Sequence, residues 1–280
     1  MHRTASHPAQ RTVVVLAAIV FVLFLGLPVV ALLARALLDG SFGTALISGA
    51  VLTALWLSLA TTAVSLLLTV IVGLPLAFVL ARRSFRGRWL IEALIDLPIV
   101  LPPSVAGLAL LLVFGRNGLL GEPLRVAGVE IPFTTVAVVF AQVFVSAPFF
   151  IRAARTGLAG VDGDLEDAAR VDGASELQLF RSVTLPLAGA ALSAGLVMTW
   201  ARAMGEFGAT IMFAGNIEGS TQTLPLVVYA EFQAGSLDAS IAAAAILVAA
   251  ALGVLIAVRV LHWSWAFDVR SIGSSGLRRT

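Results

Sequence analysis

Long apolar stretches alternate with short polar segments along the whole chain. A helix needs about 20 mainly apolar residues to cross the roughly 30 Å hydrocarbon core of a bilayer. Stretches of at least that length lie near residues 12–38, 50–81, 91–114, 132–153, 186–213 and 240–262. The pattern therefore predicts an all-α, polytopic protein with six transmembrane helices in a lipid membrane.

Composition agrees with this prediction, because 59% of the 280 residues are hydrophobic and only 12% are charged. We divide the chain into an N-terminal tail at 1–11, a transmembrane domain at 12–263 and a C-terminal tail at 264–280. The absence of Cys excludes disulfides and thiolate metal sites, and three His argue against a His-based metal site. A net charge of +2 gives little support to nucleic-acid binding, so we expect no nucleic-acid partner.

The positions of the arginines predict the orientation, since cytoplasmic loops collect basic residues. All 18 basic residues are Arg, and only Arg35, Arg116 and Arg125 fall in predicted outer loops, while Arg202 lies within a span. The other 14 lie on the predicted cytoplasmic side, in or next to the tails and the loops between spans two and three and between spans four and five. Both termini are therefore predicted to be cytoplasmic.

Two predicted spans carry features that suggest irregular helices. The second is long enough that it must tilt, extend beyond the membrane or break near Gly73 and Pro75. The third contains Pro98, Pro102 and Pro103, which indicate either ordinary kinks in packed helices or a break that lines a pathway. Small hydroxyl residues in the second span favour close helix packing over substrate contact.

A charged insert at residues 162–186 interrupts the apolar pattern. Carboxylates at its start suit a helix N-terminus, and Gly173 suits a helix end. Ser175 with Gln178 three residues later has the capping-box pattern that starts another helix. The insert is predicted to form two short helices around a glycine turn, with Pro186 opening the fifth span. The alternative is a solvated amphipathic loop.

The spacing of residues in this insert resembles the coupling loop of ATP-binding-cassette (ABC) importer permeases. The matching residues are Glu166, Ala168, Ala169, Gly173, Ala174, Leu185 and Pro186, with Val183 where the family usually has Ile. The resemblance implies the fold of a type I importer permease and implies that this loop docks on a cytoplasmic ATPase. We expect Ala168 and Ala169 to allow that partner to approach closely.

The chain is not expected to hydrolyse ATP itself. A Walker phosphate-binding loop requires a Lys, and the sequence contains none. We therefore expect a separate ATPase that uses ATP and Mg²⁺, no cofactor bound by this chain, and no enzymatic activity of its own. Importers of this class resemble two-fold assemblies with two ATPases, so a homodimer is the simplest assembly for one coupling loop per chain.

A second motif narrows the predicted substrate. Residues 201–215 read ARAMGEFGATIMFAG, and residues 221–225 read TQTLP. Together they look like the permease subunit of molybdate importers, over almost the whole chain. Sulfate and thiosulfate permeases share the Arg-x-x-Gly-Glu-Phe-Gly core, whereas the residues after it favour molybdate, with tungstate as a co-substrate. The resemblance implies a bacterial cell membrane and an extracytoplasmic molybdate-binding protein.

Arg202, Glu206 and Thr210 are the candidate pathway or gate residues. Charges within the membrane are costly enough to suggest a function, and Arg202 and Glu206 are four apart, on one face of a predicted fifth helix. Arg202 either attracts the oxyanion or pairs with Glu206 to hold helices together. We favour the structural pair, because tight anion binding would slow release.

Rival functions remain to be weighed against molybdate import. A sulfate permease belongs to the same class. An ion-driven secondary transporter would predict internal repeats with matching broken helices, and we find no convincing repeat. An enzyme within the membrane would need a nucleophile with a base or a metal site, and no such set is evident.

Overall fold

The structure is a computed structural model that describes residues 8–275, with side chains for residues 11–43 and 45–256. All the helices of this described part, in chain order, are α1 (Pro8–Leu38), α2 (Ser41–Leu46), α3 (Gly49–Arg82), α4 (Arg88–Val100), α5 (Pro103–Phe114), α6 (Gly121–Val126), α7 (Thr135–Ala159), α8 (Gly163–Val171), α9 (Glu176–Leu179), a π-helical turn (Phe180–Thr184), α10 (Leu185–Leu187), α11 (Gly189–Met204), α12 (Gly208–Phe213), α13 (Leu224–Gln233) and α14 (Leu237–Ser275).

Four helices of the described chain, α1, α3, α7 and α14, are long and apolar enough to cross a membrane unaided. The second predicted span is a continuous helix, α3, of 34 residues, which passes through Gly73 and Pro75 without a break. Gly73 instead allows α3 and α7 to pack closely. A Cβ atom there would lie 3.0 Å from the Ile151 side chain of α7.

The third predicted span is two helices rather than one. The axes of α4 and α5 are bent by 119°, and Leu101 and Pro102 form the break. Pro102 disfavours helical geometry at the residue before it, and Leu101 is extended, with a ψ of 133°. If each bent pair of helices is counted as one span, the described chain has up to six.

The prediction for the fifth span was wrong in its boundaries. The helical stretch Glu176–Leu187 bends by 70° into α11, so Pro186 precedes the bend and does not open the membrane helix. The helix then ends at Met204, and α12 is a separate short helix. Gly205 and the irregular backbone of Glu206 and Phe207 interrupt it.

The packing of α3 along α7 uses the small polar residues that the sequence singled out. The Ser65 hydroxyl lies 2.9 Å from Gln142 Oε1, and the Gln142 amide donates to Thr62 Oγ1 at 3.3 Å. These groups are buried, and their hydrogen bonds offset the cost of removing them from water. The contacts support the packing interpretation of this face.

Two further helices include residues outside the predicted spans. The segment between the fifth and sixth predicted spans contains α13, whose Leu224 N–H donates to Ser58 Oγ of α3 at 2.8 Å. Helix α14 extends past residue 263, where the transmembrane domain was predicted to end. The remaining parts of the predicted tails, 1–7 and 276–280, lie outside the described residues.

Candidate functional site

The first helix of the 162–186 segment, α8, is closed at both ends by its own sequence. Asp162 Oδ1 accepts the Asp164 N–H at 3.1 Å at the start. At the other end Gly173 has φ +86°, a left-handed conformation that glycine adopts without steric cost. The Gly173 N–H donates to Arg170 O and the Ala174 N–H to Ala169 O, both at 3.0 Å. This is a Schellman turn, so the predicted glycine stop is present.

The second helix begins with the predicted capping box. The side chain of Ser175 accepts the Gln178 N–H, and the Gln178 side chain accepts the Ser175 N–H. Arg170 joins the two helices, because its Nε donates to Glu176 Oε1 at 2.9 Å and its NH1 group donates to Asp167 at 2.8 Å. The hydrogen bond from Arg170 lowers the pKa of Glu176.

Several apolar side chains of the segment face solvent. Val171 is 87% exposed and Leu177 is 65% exposed, and Leu165 and Ala168 are exposed on the same short helix as Val171. Ala169 and Ala174 are half-buried. Large exposed apolar side chains on an otherwise polar segment are a feature of surfaces that bind other molecules. The sequence motif predicted a contact surface at the alanines only. It did not include Leu165, Val171 or Leu177.

Glu166 points in the opposite direction and is only 7% exposed. Its Oε1 atom accepts hydrogen bonds from Arg82 NH2 and from Thr184 Oγ1, each at 2.6 Å. Arg82 ends α3, and Thr184 ends the π-helical turn, after which Leu185 is half-buried and Pro186 is exposed. We call these three residues the Arg82–Glu166–Thr184 clamp. Sequence reasoning had identified only Glu166 among them.

The candidate pathway residues lie at the junction between α11 and α12. Arg202 NH1 donates to Glu206 Oε2 at 2.6 Å, so the predicted pair forms. The two residues do not share a helix face, however, because Glu206 lies beyond the end of α11. Its other oxygen accepts the Ala209 N–H at 2.7 Å at the start of α12. A fully buried carboxylate thus stabilises the break in the helix.

The break beside Glu206 adjoins the break between α4 and α5. A Cβ atom on Gly208 would lie 2.8 Å from Pro103 Cβ, so only glycine permits this approach without a shift. Thr210 is fully buried nearby in sequence, and its hydroxyl has no hydrogen-bond partner among the described residues. Two interrupted helices therefore meet at the residues that the sequence proposed as a gate.

Glu92 and Asp96 of α4 form ion pairs with α7. Asp96 Oδ1 lies 2.6 Å from Arg152 Nε, and Glu92 Oε1 lies 3.0 Å from Arg155 NH1. These pairs join α4 to the C-terminal half of α7. Within the described residues, no group of three or more His, Asp or Glu side chains is placed to hold a metal ion.

Comparison with known proteins gives a family match over most of the chain. Residues 73–264 match the model of the binding-protein-dependent transport system inner membrane component. A molybdenum transport system permease protein of Mycobacterium tuberculosis is 42% identical over 246 residues, which cover 88% of this chain and 92% of that protein. A sulfate transport system permease protein of Salmonella typhimurium is 38% identical over 190 residues, 68% of this chain and 69% of that protein.

The fold also matches a solved structure. A bacterial ABC transporter involved in the import of the acidic polysaccharide alginate superposes with a TM-score of 0.71, covering 89% of this chain and 93% of that chain. The sequence identity is 17%, so this likeness concerns the fold alone. The predicted all-α fold of an ABC importer permease is confirmed.

Proposed function

The chain belongs to the family of binding-protein-dependent transport system inner membrane components, and on that premise we propose that it is the permease subunit of a molybdate ABC importer. The observation that carries the proposal is the 42% identity to a molybdenum permease along nearly the full length of both chains. Tungstate, an oxyanion of similar shape and charge, is proposed as a co-substrate.

We propose that a separate ATPase docks on the exposed apolar face of α8 and α9. Leu165, Ala168, Val171 and Leu177 offer that partner an apolar surface. The Schellman turn and the capping box hold the two helices in a fixed relation. Two copies of the chain in a homodimer would present two such faces to two ATPase subunits. ATP and Mg²⁺ are used by that partner.

We propose that the 162–186 segment and both termini face the bacterial cytoplasm, because the arginines concentrate at that end of the chain's helices. The molybdate-binding protein then delivers the anion at the opposite end, where Arg116, Glu130 and Ser220 lie. A Cys placed at Ser220 should react with an impermeant thiol reagent in intact cells. A Cys at Ser84 should react only after permeabilisation, and the reverse result would invert the topology.

Within the bundle, we propose that Arg202 and Glu206 act first as a structural pair at the gate. Both oxygens of Glu206 are engaged, one by Arg202 and one by the Ala209 N–H. Arg202 uses one terminal nitrogen in this pair, and its side chain is 30% exposed. Arg202 therefore contributes positive charge to the junction but does not form a closed anion-binding site. A weak site is expected here, because the anion must be released into the cytoplasm.

The test of the substrate uses the permease with its own binding protein and ATPase in proteoliposomes. We expect ATP-dependent molybdate uptake in strong preference to sulfate uptake, because fine discrimination between tetrahedral dianions needs a closed, hydrogen-bonded receptor pocket. Without the receptor, uptake should stop. Uptake that an ion gradient drives without ATP would contradict the importer assignment.

Sulfate import is the second candidate, since a sulfate permease is 38% identical to this chain. The two candidates predict opposite results in the same proteoliposomes. Receptor-dependent uptake of sulfate equal to that of molybdate would remove the molybdate assignment and leave the ABC permease function intact.

A further inference from the structure

The carboxylate of Glu166 is directed away from the exposed apolar face of α8. Val171 and Leu165 on that helix are exposed, whereas Glu166 is buried and its Oε1 atom already accepts two hydrogen bonds. A protein that lies on the exposed face does not reach this carboxylate in the observed conformation. Glu166 therefore has a role inside the permease.

Both groups that donate to Glu166 come from outside α8. Arg82 is the last residue of α3, and Thr184 is the last residue of the π-helical turn that follows α9. One oxygen atom thus joins α8, the end of α3 and the π-helical turn. An edge-to-face contact of Phe78 with Phe180, with ring centroids 5.4 Å apart, links α3 to the same turn.

Helix α3 connects the clamp at its Arg82 end to the junction of α11 and α12, which it contacts near its middle. It is continuous for 34 residues, about 50 Å at 1.5 Å per residue. The Thr62 hydroxyl donates to Met204 Sδ at 3.8 Å, and Met204 ends α11 two residues before Glu206. A displacement of the Arg82 end of α3 therefore acts on a helix that contacts the junction of α11 and α12.

We propose that Glu166 is a positioning residue that transmits movement of α8 to α3 through the Arg82–Glu166–Thr184 clamp. The proposal rests on the proposed function, in which an ATPase docks on α8 and moves it. With the clamp intact, α8 and the end of α3 move as one body. Without it, the ATPase still docks and hydrolyses ATP, but less of the movement reaches the gate.

Arg82 is the informative position for a test, because it is not on the docking face. In the reconstituted complex, Arg82→Gln should lower the number of molybdate ions imported per ATP on the order of tenfold, the effect of losing a charge-assisted hydrogen bond. Copurification of the ATPase should be unchanged. Arg83→Gln is the matched control, since Arg83 is an exposed neighbour, and it should leave the ratio of import to hydrolysis unchanged.

Exchanging the charges of Arg82 and Glu166 tests whether the pair transmits movement from α8 to α3. Arg82→Glu combined with Glu166→Arg restores a pair of opposite charges and should recover part of the import per ATP that is lost in either single change. If Glu166→Gln weakens ATPase copurification while Arg82→Gln changes neither copurification nor import per ATP, then Glu166 contacts the ATPase and the proposal fails.

A distance measurement tests the clamp independently of substrate. The chain has no Cys, so spin labels can be placed at Asp164→Cys on α8 and at Ser84→Cys beyond α3. In the complex, the label distance should be narrowly distributed with the native clamp and broad in Arg82→Gln. An equally narrow distribution in both would overturn the proposal. Failure of molybdate uptake alone would affect the substrate assignment and leave this result unchanged.

Discussion

Arg82–Glu166 and Arg202–Glu206 have the same nitrogen to oxygen distance of 2.6 Å, but they connect the chain in different ways. The first pair joins residues 84 positions apart, on two separate helices. The second joins residues four apart, across the end of one helix. A long-range pair fixes how two elements lie relative to each other, whereas a local pair stabilises an interruption within one element.

The two carboxylates also differ in what their second oxygen does. Glu206 uses it to accept the Ala209 N–H, so both of its oxygens are engaged in a fully buried site. Glu166 concentrates both of its hydrogen bonds on Oε1. Breaking the hydrogen bonds of Glu206 therefore requires more free energy than breaking those of Glu166.

The largest effect is expected from Glu206→Ala. It leaves Arg202 without its partner and the Ala209 N–H without its acceptor, and breaking a buried pair costs on the order of 3–5 kcal/mol. The free energy of unfolding in detergent should fall by about that amount. Glu218→Gln is the control, because Glu218 is exposed, and it should change little.

Removing both charges sharpens the interpretation of this pair. Arg202→Gln with Glu206→Gln leaves no uncompensated charge, so the double variant should be more stable than either single variant. If it is no better assembled than the single variants, direct handling of the anion by Arg202 becomes the better account.

The next largest effect is expected from Thr184→Val in the clamp. This change keeps the shape of the side chain and removes one hydrogen bond to a carboxylate, which contributes about 1.5–3 kcal/mol. Thr53→Val is the matched control, since the exposed Thr53 hydroxyl donates only to Gly49 O of its own helix. Equal losses of unfolding free energy in the two variants would show that the hydrogen bond from Thr184 to Glu166 stabilises the fold no more than an exposed one does.

A smaller loss is expected from Gly173→Ala. The left-handed conformation at φ +86° costs a residue with a Cβ atom about 1–2 kcal/mol. Open space surrounds the position, so the cost comes from the backbone and not from a clash. Gly163→Ala, in the first turn of α8 without a positive φ, should be neutral or slightly stabilising. Thermal unfolding and coupled ATP hydrolysis of the two variants check this difference.

The local features of the 162–186 segment could be predicted because they depend on neighbouring residues. Gly173, Ser175 and Gln178 encode a turn and a cap within a few positions, and the structure contains both. The partners of Glu166 could not be predicted in this way. Nothing in the sequence near Glu166 indicates that Arg82, 84 positions earlier, would lie 2.6 Å away.

The helix breaks were predicted only in part, for a related reason. The prolines near residue 102 marked the third span as irregular, and the 119° bend follows from them. Pro75 carries the same local signal, yet α3 is one continuous helix that packs along α7. The end of α11 has no proline, and the pattern of apolar residues continues through it. There the buried Glu206 interrupts the helix, which hydropathy alone does not reveal.

The smallest effect is expected from the exposed pair of Arg170 and Glu176, which links α8 to α9. The hydrogen bond from Arg170 holds the pKa of Glu176 below its ordinary value of 4.5. A depressed carboxylate pKa contributes stability that is fully present above that value and is lost as the pH falls through the lower, folded-state pKa. The difference in thermal midpoint between the native chain and Arg170→Gln should therefore be constant from neutral pH to about 4.5 and should shrink in more acidic solution. Because both side chains are exposed, added salt should weaken the difference as well. A difference that persists unchanged in acid and in high salt would mean that Arg170 stabilises the segment by packing its side chain and not by its charge.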